Sequence, residues 1–435
     1  MRHPLSVVLL AAALTAIGPG PVPGLGTPRA LAGGRPAAAP ADGVDPAVFE
    51  EVSRLVREHF FDPDLRGLDW PAVEARHRPL AAAATSAGEL SAAINGMLAE
   101  LATSHTAHYT PSEVAYYHLL AIFAGARPLR PRVARLFGSE GVRYAGLGAF
   151  VEEIDGRSFV TGVWAGSSAD RAGLEVGDEL VAVDGAPFHP IAPFRGRAGE
   201  TVELAVRRER DGPVAAVPVV VEEIRPKRAL LEAMRASARV IERGGRRIGY
   251  IRVWSYAGRE YQDLLVEELW SGRLRDAEAL VIDLRGGWGG ASPSYLDPFL
   301  PGPEMRVRDR GGREHPVAFK WRRPVGLLID EGTRSGKEIL ARGFRGYGLG
   351  PVVGERTAGA VVAGRAFLLG DDSLLYLAVN DVTVDGERLE GPGVAPDIEV
   401  PFDPRYAGDT DPQLERIVRE LAEELGAGRT PSNGR

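Results

Sequence analysis

Pro324-Val325-Gly326-Leu327-Leu328-Ile329-Asp330-Glu331-Gly332-Thr333-Arg334-Ser335-Gly336-Lys337-Glu338 is the stretch that decides the fold. Its first half is a short apolar run bounded by turn residues, the pattern of a strand buried on both faces. Its second half opens a helical pattern from about Arg334 to Phe344. A serine therefore sits between a buried strand and a helix start. Such a turn exposes the hydroxyl, and the helix N-terminus offers free backbone N–H groups to a developing oxyanion. Two readings of Ser335 stand at this point: a helix N-cap or a nucleophile.

Working outward, Ala279–Leu284 and Arg247–Val253 are further strand patterns, and 258–274 reads as a helix between them. Alternating strand and helix with apolar runs predicts a largely parallel, covered sheet. The strand at 279–284 ends in Arg285-Gly286-Gly287-Trp288-Gly289-Gly290, a loop whose glycines allow close backbone approach. No Gly-Lys-Ser/Thr follows it, so a phosphate-binding loop is not expected. Residues 139–223 change character. Gly146-Leu147-Gly148-Ala149 leads into strand patterns at 158–163, 179–184, 201–208 and 214–222, with a short helix and tight turn at 168–178. Upstream the pattern is helical: from Asp45-Pro46, over about 71–80, from Ser86, which stands three residues before Glu89, and over about 112–124. A polar loop at 102–111 contains Ser104-His105 and His108.

Composition sets bounds. A chain of 435 residues predicts two to three domains. The net charge of −7 gives no sign of the basic surface of a nucleic-acid binder. Cysteine is absent, which excludes disulfides and thiolate catalysis. His77, His189 and His315 sit in no metal-ligand spacing, and no cofactor is expected. Arg2 and His3, the apolar run 5–17 and Ala30-Leu31-Ala32 form the pattern of a leader cleaved near Ala32. The expectation is an exported protein, periplasmic or secreted, with peripheral association with the envelope as an option.

Taken in order, these segments resemble the tail-specific (C-terminal processing) and tricorn-like serine peptidase family. The segments are Ser104-His105-Thr106; Gly146–Ala149 with Ser167–Gly185; Ile248–Val253; Asp283–Gly290; Gly332–Glu338; Gly354–Gly359; and Glu390–Ile398. The middle module resembles a PDZ domain. The resemblance implies a multidomain α/β fold: an N-terminal helical domain, a PDZ-like β-rich module and a crotonase-like ββα protease core. The expected bounds are 1–32 leader, 33–43 linker, 44–137 helical domain, 138–225 PDZ-like domain, 226–425 core and 426–435 tail. It implies polypeptide substrates, Ser335 as nucleophile, and peptide capture by the backbone of Gly146, Leu147, Gly148 and Ala149.

One departure matters. The family pattern Gly-Glu-x-Thr-x-Gly-Lys supplies a lysine general base, and here Gly354–Gly359 is followed by Ala360. A serine needs a base near neutral pH. Lys337 lies two residues from Ser335, so on a helix the two face about 200° apart. By resemblance to the tricorn-like branch, His105 is the base, with Ser104 and Glu390 orienting it. His108 fits that pattern less well. The oxyanion hole falls to the N–H groups of Gly336 and Gly289, with Gly290 next; Gly287 replaces the usual loop asparagine. The alternative is an inactive peptide-binding scaffold that keeps the fold, favoured by Ala360, Arg334 and Gly287.

Overall fold

The computed structural model describes residues 44–427. The leader and linker expected over 1–43, and residues 428–435 of the expected tail, lie outside the described residues. Residue 426 closes a helix, Pro412–Gly426.

The strand predicted around Leu327 is Val325–Ile329, and all of its residues are buried. It lies inside a six-stranded sheet ordered Arg239–Arg243, Arg246–Arg252, Ala279–Asp283, Val325–Ile329, Val352–Gly354, Ile398–Glu399. The first pair is antiparallel and the remaining pairs are parallel. Side chains alternate faces with period two. Leu280, Ile282, Leu327 and Ile329 therefore enter one core, with Leu265, Leu340 and Phe344 of the helices Arg259–Trp270 and Gly336–Gly346. Ala279, Val281 and Leu328 enter the opposite core, against Ile417, Val418 and Leu421 of Pro412–Gly426. Because both faces are covered, the strands read as unbroken apolar runs.

The N-terminal helices Ala47–His59, Trp70–Ala83 and Ala87–Ala99 form the expected helical region, and their core reaches into a later part of the chain. Val52, Ile94 and Met97 share one core with Val362, Leu375 and Leu377. Those partners belong to the hairpin Ala363–Leu368 and Leu374–Asn380, to which Ala107–Tyr109 adds a third strand. The Ser104-His105 loop is thereby tied to a sheet formed some 270 residues later in the chain. Ser86 caps its helix by accepting from Glu89 N at 3.2 Å, while the Glu89 carboxylate turns instead to Thr85.

The middle module is a sheet ordered Ala149–Ile154, Arg157–Val163, Glu179–Val183, Thr201–Arg207, Val214–Val220, with Ala186–Pro187 added beside Glu179–Val183. Its core gathers Leu147, Val160, Leu180, Phe194 and Leu204. Among the described residues no helix is long and apolar enough to cross a membrane.

Candidate active site

Ser335 stands at the position before the helix Gly336–Gly346, with φ 59° and ψ −130°. A non-glycine residue at positive φ costs on the order of 1–3 kcal/mol and persists only where its surroundings impose it. The surroundings here are specific. Ser335 N–H donates to Ala360 O at 2.8 Å and lies 3.1 Å from Glu338 Oε2. Glu338, fully buried, also accepts from Thr357 Oγ1 at 2.5 Å, Gly359 N at 2.8 Å and Ala360 N at 2.8 Å. Burial pushes its carboxyl above the ordinary range, against the pull of those four donors. Sequence reasoning passed over Glu338; the Ser335-x-x-Glu338 spacing of a capping box was the available signal.

His105 also has positive φ, 54°. Its Nδ1 lies 2.9 Å from Ser104 Oγ, which lies 2.9 Å from Glu390 Oε2. Glu390 further accepts from Ser104 N at 2.9 Å, Val361 N at 2.8 Å and Val362 N at 3.2 Å. Burial would raise its carboxyl; the bonds from Ser104, Val361 and Val362 outweigh burial and hold it below the ordinary range. An ionised carboxylate can only accept, so the Ser104 hydroxyl donates to it. The hydroxyl's lone pair then accepts a hydrogen bond from Nδ1–H, which assigns the tautomer with Nε2 unprotonated. Burial pulls the imidazole down to about 4, opposed by Glu390 and reinforced by Arg334. His105 is thus neutral at pH 7, the form a base requires.

Ser335 and Ser104-His105 are anchored on one segment, Ser335 through Ala360 and the other pair through Glu390 on Val361 and Val362. Among the described residues no hydrogen bond joins the Ser335 hydroxyl to the His105 ring. Contacts of this kind often tighten only around bound substrate. His108, the competitor, is buried between Ser91 Oγ at 2.9 Å and Ser373 Oγ at 2.8 Å, with no carboxylate on either nitrogen.

The glycine-rich loop packs directly on Ser335. A Cβ on Gly289 would sit 2.5 Å from Ser335 Cβ and 2.8 Å from Arg334 O. A Cβ on Gly336 would sit 2.4 Å from Ala291 N. Neither Gly336 nor Gly289 donates its N–H to an acceptor among the described residues. For Gly336 this follows from its place at the first helical position.

The segment 146–149 is placed differently from the other candidates. Gly146 ends a strand paired with Glu222–Ile224. Leu147 O accepts from Ala169 N and Ser168 Oγ, each at 2.9 Å. Gly148 has φ 80°, and Ala149 opens the strand Ala149–Ile154. These residues line a cleft of about 810 Å³ together with Gly287, Trp288 and Arg334. Trp288 donates to His118 Nδ1 at 2.9 Å, and His118 Nε2 meets Tyr144 OH at 3.0 Å, a buried link the sequence did not disclose. Among the described residues no group of three or more His, Asp or Glu could hold a metal ion.

Comparison with known proteins agrees with this architecture. Residues 247–400 match peptidase family S41, residues 46–99 the tricorn protease C1 domain and residues 159–208 the PDZ domain. Tricorn protease homolog 2 of Streptomyces coelicolor is 33% identical over 419 residues, covering 88% of this chain and 33% of that protein. Tricorn protease homolog 1 of the same organism is 30% identical over 416 residues, covering 88% and 36%. The chain therefore spans about a third of the length of these two relatives. Carboxy-terminal processing protease CtpB of Bacillus subtilis is 26% identical over 273 residues, covering 59% of this chain and 55% of that protein. Among solved structures, the tricorn protease superposes with a TM-score of 0.50 at 19% identity over 88% of this chain and 37% of that one, a likeness of fold.

Proposed function

We propose, from the premise that residues 247–400 belong to peptidase family S41, that this chain is an exported serine endopeptidase acting near the C-termini of polypeptides or in unfolded segments. The observation that carries the reading is the chain Glu390–Ser104–His105, which leaves an unprotonated Nε2 on a neutral imidazole and is anchored through Val361 and Val362 on the segment whose Ala360 holds Ser335. Ser335 Oγ attacks the scissile carbonyl carbon while His105 Nε2 takes its proton. The oxyanion is met by the N–H groups of Gly336 and Gly289. Collapse breaks the C–N bond, and the leaving amine takes the proton from His105. Water then repeats the sequence on the acyl-enzyme. One such N–H donor contributes on the order of 100-fold or more to the rate.

The segment Gly146–Ala149 in the cleft lining suits capture of a polypeptide C-terminus by a PDZ domain. Export rests on the leader pattern of residues 1–32. Besides Ala360, Arg334 and Gly287, a scaffold reading draws support from the hydrogen bond between Ser335 and His105, which is not made among the described residues. The test is incubation of the mature protein with an unfolded polypeptide and mass analysis of the products. Internal cleavage by the wild type, abolished by Ser335→Ala, supports the peptidase. Binding without cleavage at every pH from 4 to 9 supports the scaffold.

A further inference from the structure

The structure contains a buried cation that the proposed chemistry leaves unused. Lys337 has 0% exposure. Its Nζ donates to Gly286 O at 2.8 Å and to Leu284 O at 3.2 Å, and it forms no ion pair among the described residues. Burying an ammonium without a counter-ion opposes folding, so a purely structural plug would be better made by Met or Leu. The two carbonyls it holds belong to the junction where the strand Ala279–Asp283 runs into the glycine-rich loop.

Two other groups fix that same junction. The Thr333 hydroxyl lies 3.1 Å from Leu284 O, and Gly286 N–H donates to Asp330 Oδ1 at 2.9 Å. Asp330, Thr333 and Lys337 all belong to the segment that carries Ser335. Nucleophile and glycine-rich loop are thus built as one unit, tied from below by the nucleophile's own turn and first helical turn. The loop holds Gly289 against Ser335 Cβ. A small shift of the junction would misdirect its N–H, and preorganised donors lose most of their effect when misplaced.

We propose that Lys337 is a positioning residue for the reaction: its ammonium clamps the carbonyls of Leu284 and Gly286 and so aims the 286–290 loop at the acyl oxygen formed on Ser335. The inference rests on the acyl-enzyme reading above. The charged groups facing the ammonium come from each neighbouring element. Asp330 follows the strand Val325–Ile329, Arg252 and Asp283 end two adjacent strands, and Arg334 precedes the nucleophile. Burial lowers the Lys337 ammonium to about 7; Asp330 and Asp283 oppose this, while Arg252 and Arg334 add to it. The clamp is therefore charged below about pH 7 and neutral above it.

The experiment compares wild type with Lys337→Met on an internally quenched peptide, from pH 5 to 9, with thermal melting as the check on folding. The expected result is a kcat about 100-fold lower in the variant, with KM within about threefold and a cooperative melt. In the wild type kcat falls as pH rises through about 7, and the variant lacks that limb. A folded Lys337→Met with wild-type kcat would overturn the proposal. So would a loss confined to KM, or an identical high-pH limb in the variant. If Lys337→Met does not fold, the wild-type profile decides: a kcat flat from pH 6 to 9 overturns it. Inactivity of the wild type on every peptide defeats the peptidase reading itself. An active wild type with an unaffected variant defeats only this inference.

Discussion

The backbone N–H of Ser335 donates to the carbonyl oxygen of Ala360 across 2.8 Å. By the resemblance of Gly354–Gly359 to the family pattern, position 360 corresponds to the family's lysine, so the base absent here would have stood beside Ser335. The hydrogen bonds around it remain: Ala360 N–H is held by Glu338, and Val361 and Val362 are held by Glu390. The same short segment carries both the displaced lysine position and the anchor of the Ser104-His105 pair. The proposed change of base from lysine to histidine therefore needs no change in scaffold.

Glu390→Gln tests the orientation of that histidine. The amide keeps the shape but loses the charge that fixes the Ser104 hydroxyl as donor and Nδ1 as protonated. The expected outcome is acylation slower by on the order of 100-fold or more, with KM little changed. Ser104→Ala should fall in the same range, because it cuts the link between carboxylate and ring. Steady-state kinetics on one peptide checks both; full activity in either variant would remove Glu390 from the account.

Gly289→Ala tests the contact between loop and nucleophile. The added methyl would lie 2.5 Å from Ser335 Cβ and 3.1 Å from its Oγ. Backbone and hydroxyl cannot both stay in place, so acylation should fall by on the order of 100-fold or more while the fold persists. Single-turnover acylation with an activated ester measures the effect directly.

Gly148→Ala separates capture from chemistry. A Cβ there would meet Ser167 Cβ at 2.3 Å, at a φ of 80°. The carboxylate-binding arrangement of 146–149 should be lost, while Ser335 is untouched. KM for peptides with a free C-terminal carboxylate should rise about tenfold, with an unchanged rate for small activated esters. A parallel loss on both substrate types would place the segment outside capture.

Three buried histidines should make the fold acid-sensitive. Burial pulls His105 and His108 to about 4 and His118 to about 3, from the usual 6.5. Each is depressed in the folded state, so its contribution is fully present above pH 6.5 and is lost as pH falls through 4 and 3. By this linkage the loss is on the order of 3 kcal/mol each for His105 and His108 and on the order of 5 kcal/mol for His118. Urea midpoints should drop steeply between pH 6.5 and 4, and His118→Gln should flatten the slope. Constant midpoints over that window would contradict the burial of these rings as neutral groups.

The parts of the molecule legible in sequence were those with one-dimensional signals. Val325–Ile329 and Ala279–Asp283 read as strands because burial on both faces leaves only apolar side chains. The hairpin Ala363–Leu368 and Leu374–Asn380 was not read. Gly364 and Arg365 interrupt the first strand, and both shelter helices that come far earlier in the chain. Ser335 by itself was only a cap or a nucleophile. Glu390 and Ser104 are 286 residues apart, so no spacing rule joins them, and only the resemblance of ordered motifs did. Helical spacing turns Lys337 away from Ser335. Its ammonium reaches the carbonyls of another loop, which no helical periodicity discloses.

The central claim is that His105 activates Ser335 in place of the family's lysine. Its most direct test is the second-order rate of fluorophosphonate labelling of the mature protein as a function of pH, for wild type, Ser335→Ala and His105→Ala. The account predicts stoichiometric labelling at Ser335 that rises as pH increases through about 4, where His105 becomes neutral. It predicts no labelling of Ser335→Ala and a rate lower by on the order of 1,000-fold for His105→Ala. Labelling that persists at the wild-type rate in His105→Ala, or a wild type that takes up no label at any pH, would contradict it.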